Sequence, residues 1–155
     1  MWSPNRNKRP TGQVIDTIIL HSTGSNSDAG AYTWMMNPTA KVSAHYLVET
    51  DGDVIKLVPT VDRAWHAGSC LKGLGDVNSR SIGIEVTGTA GINMAQRTAL
   101  TNLLRALKGA IPTIRYLAGH GAVNTRKTDP YWSVAQFRET TGLGRLPNQR
   151  QEPYG

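Results

Sequence analysis

Histidines 21, 45, 66 and 120 are the only four in this 155-residue chain, and two of them stand where a metal could be held. His21 closes the apolar run Val14 to Leu20. His120 follows a second apolar stretch, Ile114 to Ala118, and Asp129 lies on the polar loop beyond it. Two neutral imidazoles and one carboxylate suit Zn²⁺, and three protein ligands leave a fourth tetrahedral position open, the pattern of a catalytic rather than a structural site. A metal of that kind brings the pKa of water toward about 7 and polarises a carbonyl oxygen, the two requirements of amide hydrolysis at neutral pH. Each histidine taken alone also fits a satisfied structural role at a strand end. Lys127 bears on the choice, because in an extended Lys127-Thr128-Asp129 residues two apart project to one face. An ammonium there would approach the centre that Asp129 binds and stabilise an oxyanion; its other reading is a solvated loop lysine.

Strands and turns must carry these residues. Val14-Ile15-Asp16-Thr17-Ile18-Ile19-Leu20 is β-branched and nearly all apolar, which predicts a strand buried on both faces. Ser22 to Asp28 is small and polar and predicts a loop; Ala29 to Met36 then predicts a short helix with Asp28 as N-cap, stopped before Pro38. His45 to Thr50 and Val54 to Val58 flank Asp51-Gly52-Asp53 and predict a hairpin. Thr60 to Arg80 shows no sustained period and predicts a long surface loop carrying Trp65-His66-Ala67-Gly68. Ser81 to Val86 predicts another strand. Asn93 with Gln96 three residues on is a capping box, and Leu100, Leu103, Leu104 and Leu107 share one face of the helix that follows, ended by Gly109. Ser133 caps a last helix through Thr140, stopped by Gly142. The expected fold is α+β (mixed α/β), a central mixed β-sheet flanked by three helices. One domain, 1–155, is expected, with its core at about 12–142, a flexible basic N-terminus and a frayed tail from Leu143 to Gly155.

The formal net charge of +6 favours polyanionic partners without choosing among them. Nucleic acid is not expected, because the basic residues are scattered and no helix-turn-helix spacing, zinc-finger spacing or aromatic RNA signature is present. No apolar run approaches the roughly 20 residues of a membrane span. Met1 to Thr11 is basic but no apolar segment follows, so it does not read as a secretory signal, and synthesis in the cytoplasm is expected. Cys70 is the only cysteine, which excludes an internal disulfide framework. A monomer is expected.

His21-Ser22-Thr23, Ser43-Ala44-His45-Tyr46, Trp65-His66-Ala67-Gly68, Ser81-Ile82-Gly83-Ile84-Glu85, and Gly119-His120 followed by Arg126-Lys127-Thr128-Asp129-Pro130 resemble, in that order, the zinc-dependent N-acetylmuramoyl-L-alanine amidases. That family includes phage endolysins, muropeptide-recycling amidases and peptidoglycan recognition proteins. The resemblance implies one catalytic Zn²⁺ on His21, His120 and Asp129, with Lys127 as the transition-state lysine and Glu85 as the general base. For Glu85 a salt-bridged strand residue is the plain alternative. Some branches carry a catalytic tyrosine two positions before Tyr46; Ala44 stands there, so Tyr46 does not inherit that role. Trp65, His66 and Asn78 match positions at the cleft where substrate would be contacted, although Trp65 could equally cover the core. His45 and His66 match positions where they could orient a ligand or contact substrate; for His45 a place behind a ligand or in the core is at least as expected. The implied substrate is peptidoglycan or a muropeptide, cut between N-acetylmuramic acid and L-alanine. A bacteriolytic phage endolysin reaching the host wall after membrane permeabilisation is favoured, on the basic charge and on Asp76, which stands where the recycling branch presents an arginine. The alternatives are a recycling amidase acting on anhydro-muropeptides and a non-catalytic peptidoglycan-binding module.

Overall fold

The computed structural model describes residues 1–155. The chain runs through β1 (Arg6–Lys8), β2 (Thr17–Ser22), α1 (Asp28–Met36), β3 (Tyr46–Val48), β4 (Val54–Lys56) and β5 (Asp62–Ala64). It continues through α2 (Val77–Arg80), β6 (Ser81–Val86), α3 (Met94–Ala110), β7 (Tyr116–Gly119), α4 (His120–Val123) and α5 (Ala135–Thr141). Five strands form one sheet in the order β4-β3-β6-β2-β7. All its pairings are parallel except the β3–β4 hairpin, so the expected mixed sheet is the one observed.

The central strands bury both faces, as the apolar residues on either side of each require. Ile18 and Leu20 of β2 join Ile82 and Ile84 of β6 on the face covered by α3 and α5, against Leu100, Leu104 and Phe137. Ile19, between them, faces the opposite way into a cluster with Ala67, Leu74, Val77, Ala118 and Leu146. A third cluster lies under α1, where Ala31 and Met35 meet Leu47 and Leu57. The capping box of α3 is formed, Asn93 Oδ1 accepting from the Gln96 N–H at 2.8 Å and the Gln96 side chain accepting from the Asn93 N–H.

Several boundaries differ from expectation, each for a local reason. β2 starts at Thr17, because Val14 is exposed and the Asp16 carboxylate is held by Arg80 at 2.6 Å. Ser27, not Asp28, caps α1, since Asp28 instead accepts from the Thr50 backbone and hydroxyl. Gly109 lies inside α3, which runs on to Ala110, and α5 is capped by Val134 without a side-chain bond. The segment from Thr60 to Arg80 is not a plain loop: it contributes β5, paired with β1, and α2, and buries Leu74 and Val77. Neither terminus is loose. Ser3 and Asn5 are buried, their side chains donating to the carbonyls of Met35 and Val42. At the other end Leu146 is in the core and Glu152 pairs with Arg138 at 2.8 Å, both side chains at most one-tenth exposed. No helix is long and apolar enough to cross a membrane.

Candidate metal centre and cleft

Strand register gathers the chemistry at one end of the sheet. In the β2–β6 pair His21 stands opposite Glu85, and in the β2–β7 pair Leu20 stands opposite Gly119, so His120 begins α4 at the same level. The carboxyl ends of parallel strands are where open α/β sheets place ligands. Asp129 returns over this end on the loop after α4, its Oδ2 accepting from the Ser22 N–H at 3.3 Å. His21, His120 and Asp129, expected from sequence as a ligand set and drawn from distant positions, are all buried and converge.

Two carbonyls settle the tautomers. His120 Nε2 lies 2.9 Å from the Ala67 carbonyl and must donate to it, which leaves Nδ1 bare when the ring is neutral. The Ser81 hydroxyl donates to the Val77 carbonyl at 2.5 Å, so it accepts from His66 Nε2 at 3.1 Å. His66 Nδ1 then accepts from His21 Nε2 at 2.9 Å, and His21 Nδ1 is bare in turn. The two bare nitrogens face each other at 3.1 Å, with Asp129 Oδ1 3.3 Å from His120 Nδ1 and Oδ2 3.5 Å from His21 Nδ1. Two lone pairs and a carboxylate at such spacing repel unless a cation lies among them. Ligands at about 2.0–2.1 Å from a tetrahedral Zn²⁺ are roughly 3.3–3.4 Å apart, and the three observed spacings bracket that value, so the donor set fits zinc.

The surroundings favour uncharged imidazoles. Burial, reinforced by His120, brings His21 down to about 4, and burial holds His66 well below its ordinary value. For Asp129 burial opposes the charge, but the closeness of His120 and His21, at 3.3 and 3.5 Å, outweighs it and keeps the carboxyl below the usual range. Glu85 goes the other way: burial and the Asp129 charge push it up to about 8, against the pull of Lys127. Its Oε1 is 3.8 Å from His21 Nδ1 and its buried Oε2 has no hydrogen-bond partner.

The remaining sequence-expected residues divide. Lys127 is exposed on the rim and Trp65 forms a wall, its indole N–H donating to Asn7 Oδ1 at 2.8 Å. His66 borders the cleft but is buried, and both its nitrogens are committed to His21 and Ser81, which fits the expected orienting role and leaves neither nitrogen for a substrate contact. Asn78 is corrected too: it lies off the cleft, its Oδ1 accepting from the His66 and Ala67 N–H groups. His45 is buried in the core, one of its expected places. Its Nδ1 accepts from the Gly83 N–H and its Nε2 donates to the Asp62 carbonyl, and it bonds none of the three converging residues. Tyr46 is not in the cleft, in keeping with the departure at Ala44. Asp76 caps α2 and pairs with Arg63 at 3.0 Å, so its carboxylate is occupied away from the cleft.

The cleft holds about 680 Å³, within the range of small-molecule sites. Its floor is His21, Glu85, His120 and Asp129, with Arg126, Lys127 and Tyr131 on one side and Trp34, Met35 and Trp65 on the other. Trp34, Arg126 and Tyr131 were not anticipated. Trp34 lies on α1 and is 57% exposed, although the sequence of that short helix has no polar face that would set it apart.

A family model described as N-acetylmuramoyl-L-alanine amidase matches residues 11–132. The 1,6-anhydro-N-acetylmuramyl-L-alanine amidase AmpD of Escherichia coli K12 is 34% identical, over 88% of this chain and 87% of the relative. Among solved structures, a selenomethionine derivative of AmpD superposes with a TM-score of 0.73 at 29% identity, covering 91% of this chain and 92% of that one. AmpDh3 of Pseudomonas aeruginosa, solved in complex with an anhydromuramic pentapeptide, gives a TM-score of 0.73 at 25% identity, over 93% of this chain and 67% of the other.

Proposed function

We propose, on the premise that this chain belongs to the N-acetylmuramoyl-L-alanine amidase family and is an amidase of that type, that it uses Zn²⁺ to hydrolyse the lactyl–L-alanine amide of soluble anhydro-muropeptides. The observation that carries the zinc assignment is the convergence of two unprotonated imidazole nitrogens and a carboxylate at 3.1–3.5 Å. His21, His120 and Asp129 are the ligands. When bound there, zinc supplies polarisation of the scissile carbonyl and acidification of water.

The chain's own residues do the rest. Glu85 faces the same centre with one oxygen unpartnered, a place from which a carboxylate takes a proton from water and returns it to the departing amine. With a cation held by His21, His120 and Asp129, Glu85 would give up its proton more readily, the added positive charge offsetting the burial and the Asp129 charge that hold it. Lys127 on the rim brings a positive charge to the oxyanion of the tetrahedral intermediate. Trp65 offers a flat apolar face for the sugar.

The choice of a soluble anhydro-muropeptide over polymeric wall departs from the endolysin expectation. Asp76, one of the two supports of that expectation, is engaged with α2 and Arg63 and marks no missing substrate contact. The relative at 34% identity is named for a 1,6-anhydro substrate, which favours the recycling-type alternative. The test is release of free stem peptide from soluble anhydro-muropeptide and from intact sacculi, each with and without chelator. Faster, chelator-sensitive release from the soluble substrate is expected; preferential digestion of sacculi would restore the endolysin reading, and chelator-resistant hydrolysis would remove the zinc.

A further inference from the structure

The segment beyond α5, which sequence patterning reads as a frayed tail, crosses back over α4, which begins at His120, and the loop after it that carries Lys127 and Asp129. Arg150 is the point of contact. Its Nε donates to the Gly121 carbonyl at 2.7 Å and its Nη2 to the Lys127 carbonyl at 3.3 Å, while its backbone N–H donates to the Ala122 carbonyl at 2.9 Å. One guanidinium therefore ties the residue after one ligand to the residue two before the other. The loop is also closed on itself, the Gly121 N–H donating to the Asp129 carbonyl at 2.8 Å.

Packing makes the same connection. A Cβ on Gly121 would lie 2.9 Å from the Pro153 ring and 3.0 Å from the Lys127 carbonyl, so α4, the tail and the ligand loop meet where only glycine fits. Glu152 anchors the tail from below: its Oε2 accepts from Arg138 at 2.8 Å and from the Gly119 N–H at 3.4 Å. Tyr154 stands edge-on to Tyr131 of the cleft at a centroid distance of 5.9 Å.

We propose that Arg150–Tyr154 is a clasp that positions the metal-binding loop, with Arg150 the positioning residue that holds the His120 and Asp129 arms at their ligating separation. The proposal rests on the zinc reading above. Arg150 touches neither the three ligands nor substrate; it acts through the two carbonyls it bridges. A guanidinium reaches both through its planar fork, whereas a lysine ammonium at the same place reaches one. Partners one bond removed from a metal ligand typically contribute 10–100-fold in metal affinity, and Arg150 acts one bond further out.

The experiment compares full-length wild type, Arg150→Ala and Arg150→Lys, measuring zinc affinity by competition with a chromophoric chelator and the visible spectrum of the Co²⁺-substituted protein. Thermal midpoints of the metal-free forms are taken in parallel. Arg150→Ala should bind zinc about threefold to tenfold more weakly and show an altered Co²⁺ spectrum, with Arg150→Lys between it and wild type. Wild-type affinity and an unchanged spectrum in Arg150→Ala would overturn the clasp, and so would a lowered midpoint with unchanged affinity, since that is packing alone. If wild type itself binds neither ion, the zinc reading falls and takes the clasp with it.

Discussion

Replacing Gly83 by alanine should weaken the metal centre although no ligand is touched. Gly83 lies in the middle of β6, and a Cβ built there would sit 2.5 Å from Cγ of the His66 ring and 2.7 Å from both Cδ2 and Nδ1. Non-bonded carbons rest at about 3.5–4.0 Å, so the ring must retreat by about 1 Å or the strand must bulge. The bond from His21 Nε2 to His66 Nδ1, now 2.9 Å, would then lengthen past the limit at which a hydrogen bond survives. Gly→Ala within a strand ordinarily stabilises, by roughly 0.5–1 kcal/mol. Here the sign reverses, because overpacking a buried site costs about 1–3 kcal/mol.

Two measurements follow. A loss of about 2 kcal/mol should lower the thermal midpoint of metal-free protein by about 4–8 °C at this chain length. Zinc affinity should fall about 10–100-fold, as when the hydrogen-bond partner of a ligating histidine is removed. A double-mutant cycle isolates the cause: in a His66→Ala background there is no ring to strike, and Gly83→Ala should cost less than about 0.5 kcal/mol. If Gly83→Ala keeps both wild-type melting and wild-type zinc affinity, or costs as much without the imidazole as with it, the support of His21 through His66 is not what this glycine provides.

Glu85→Gln should separate activity from stability. In metal-free protein the folded carboxyl, held up at about 8, keeps a proton that the unfolded chain releases near 4.5, so the wild type loses stability as pH rises between those values. The glutamine variant has no such loss and should be about 1–3 kcal/mol more stable in urea melts at pH 7.5, while turnover falls roughly 10²-fold or more; equal stability at that pH would refute the burial argument. Lys127→Ala should leave zinc content intact and lower kcat by roughly 10²-fold, and a change confined to KM would move Lys127 from oxyanion stabilisation to substrate binding. Burial brings His45 down to about 3 from 6.5. The stability it contributes is therefore complete above pH 6.5 and lost progressively as pH falls toward 3, because only the unfolded chain takes the proton. Urea midpoints of metal-free protein should decline through that window and decline less in His45→Gln; parallel slopes would assign the acid sensitivity elsewhere.

What could be read in advance, and what could not, follows from how each feature is encoded. α3 and β6 are local statements: a capping box followed by leucines on one face, and a short segment built around Ile82, Ile84 and Val86, and both appear where expected. The pairing of β1 with β5 is not local. Arg6-Asn7-Lys8 and Asp62-Arg63-Ala64 carry no apolar period, and what joins them is backbone bonding reinforced by the half-buried guanidinium of Arg9, which donates to the carbonyls of Thr60, Asn78, Ser79 and Ser81. The tail is similar: beyond the buried Leu143 and Leu146 it is held by carbonyl contacts and by Glu152 on Arg138. At the candidate metal centre, residue types chosen for their chemistry identify the candidates, but the same motif that brings His66 to the cleft does not say whether its ring faces the open cleft or the back of His21. That orientation depends on a missing side chain across the sheet. A lone glycine within a strand pattern marks either a bulge or a close approach, β6 has no bulge in its register with β2, and the group that approaches Gly83 is the imidazole of His66. The glycine in Ser81-Ile82-Gly83-Ile84-Glu85 thus makes the room in which the His66 imidazole reaches His21, and so supports the proposed ligand set without a side chain of its own.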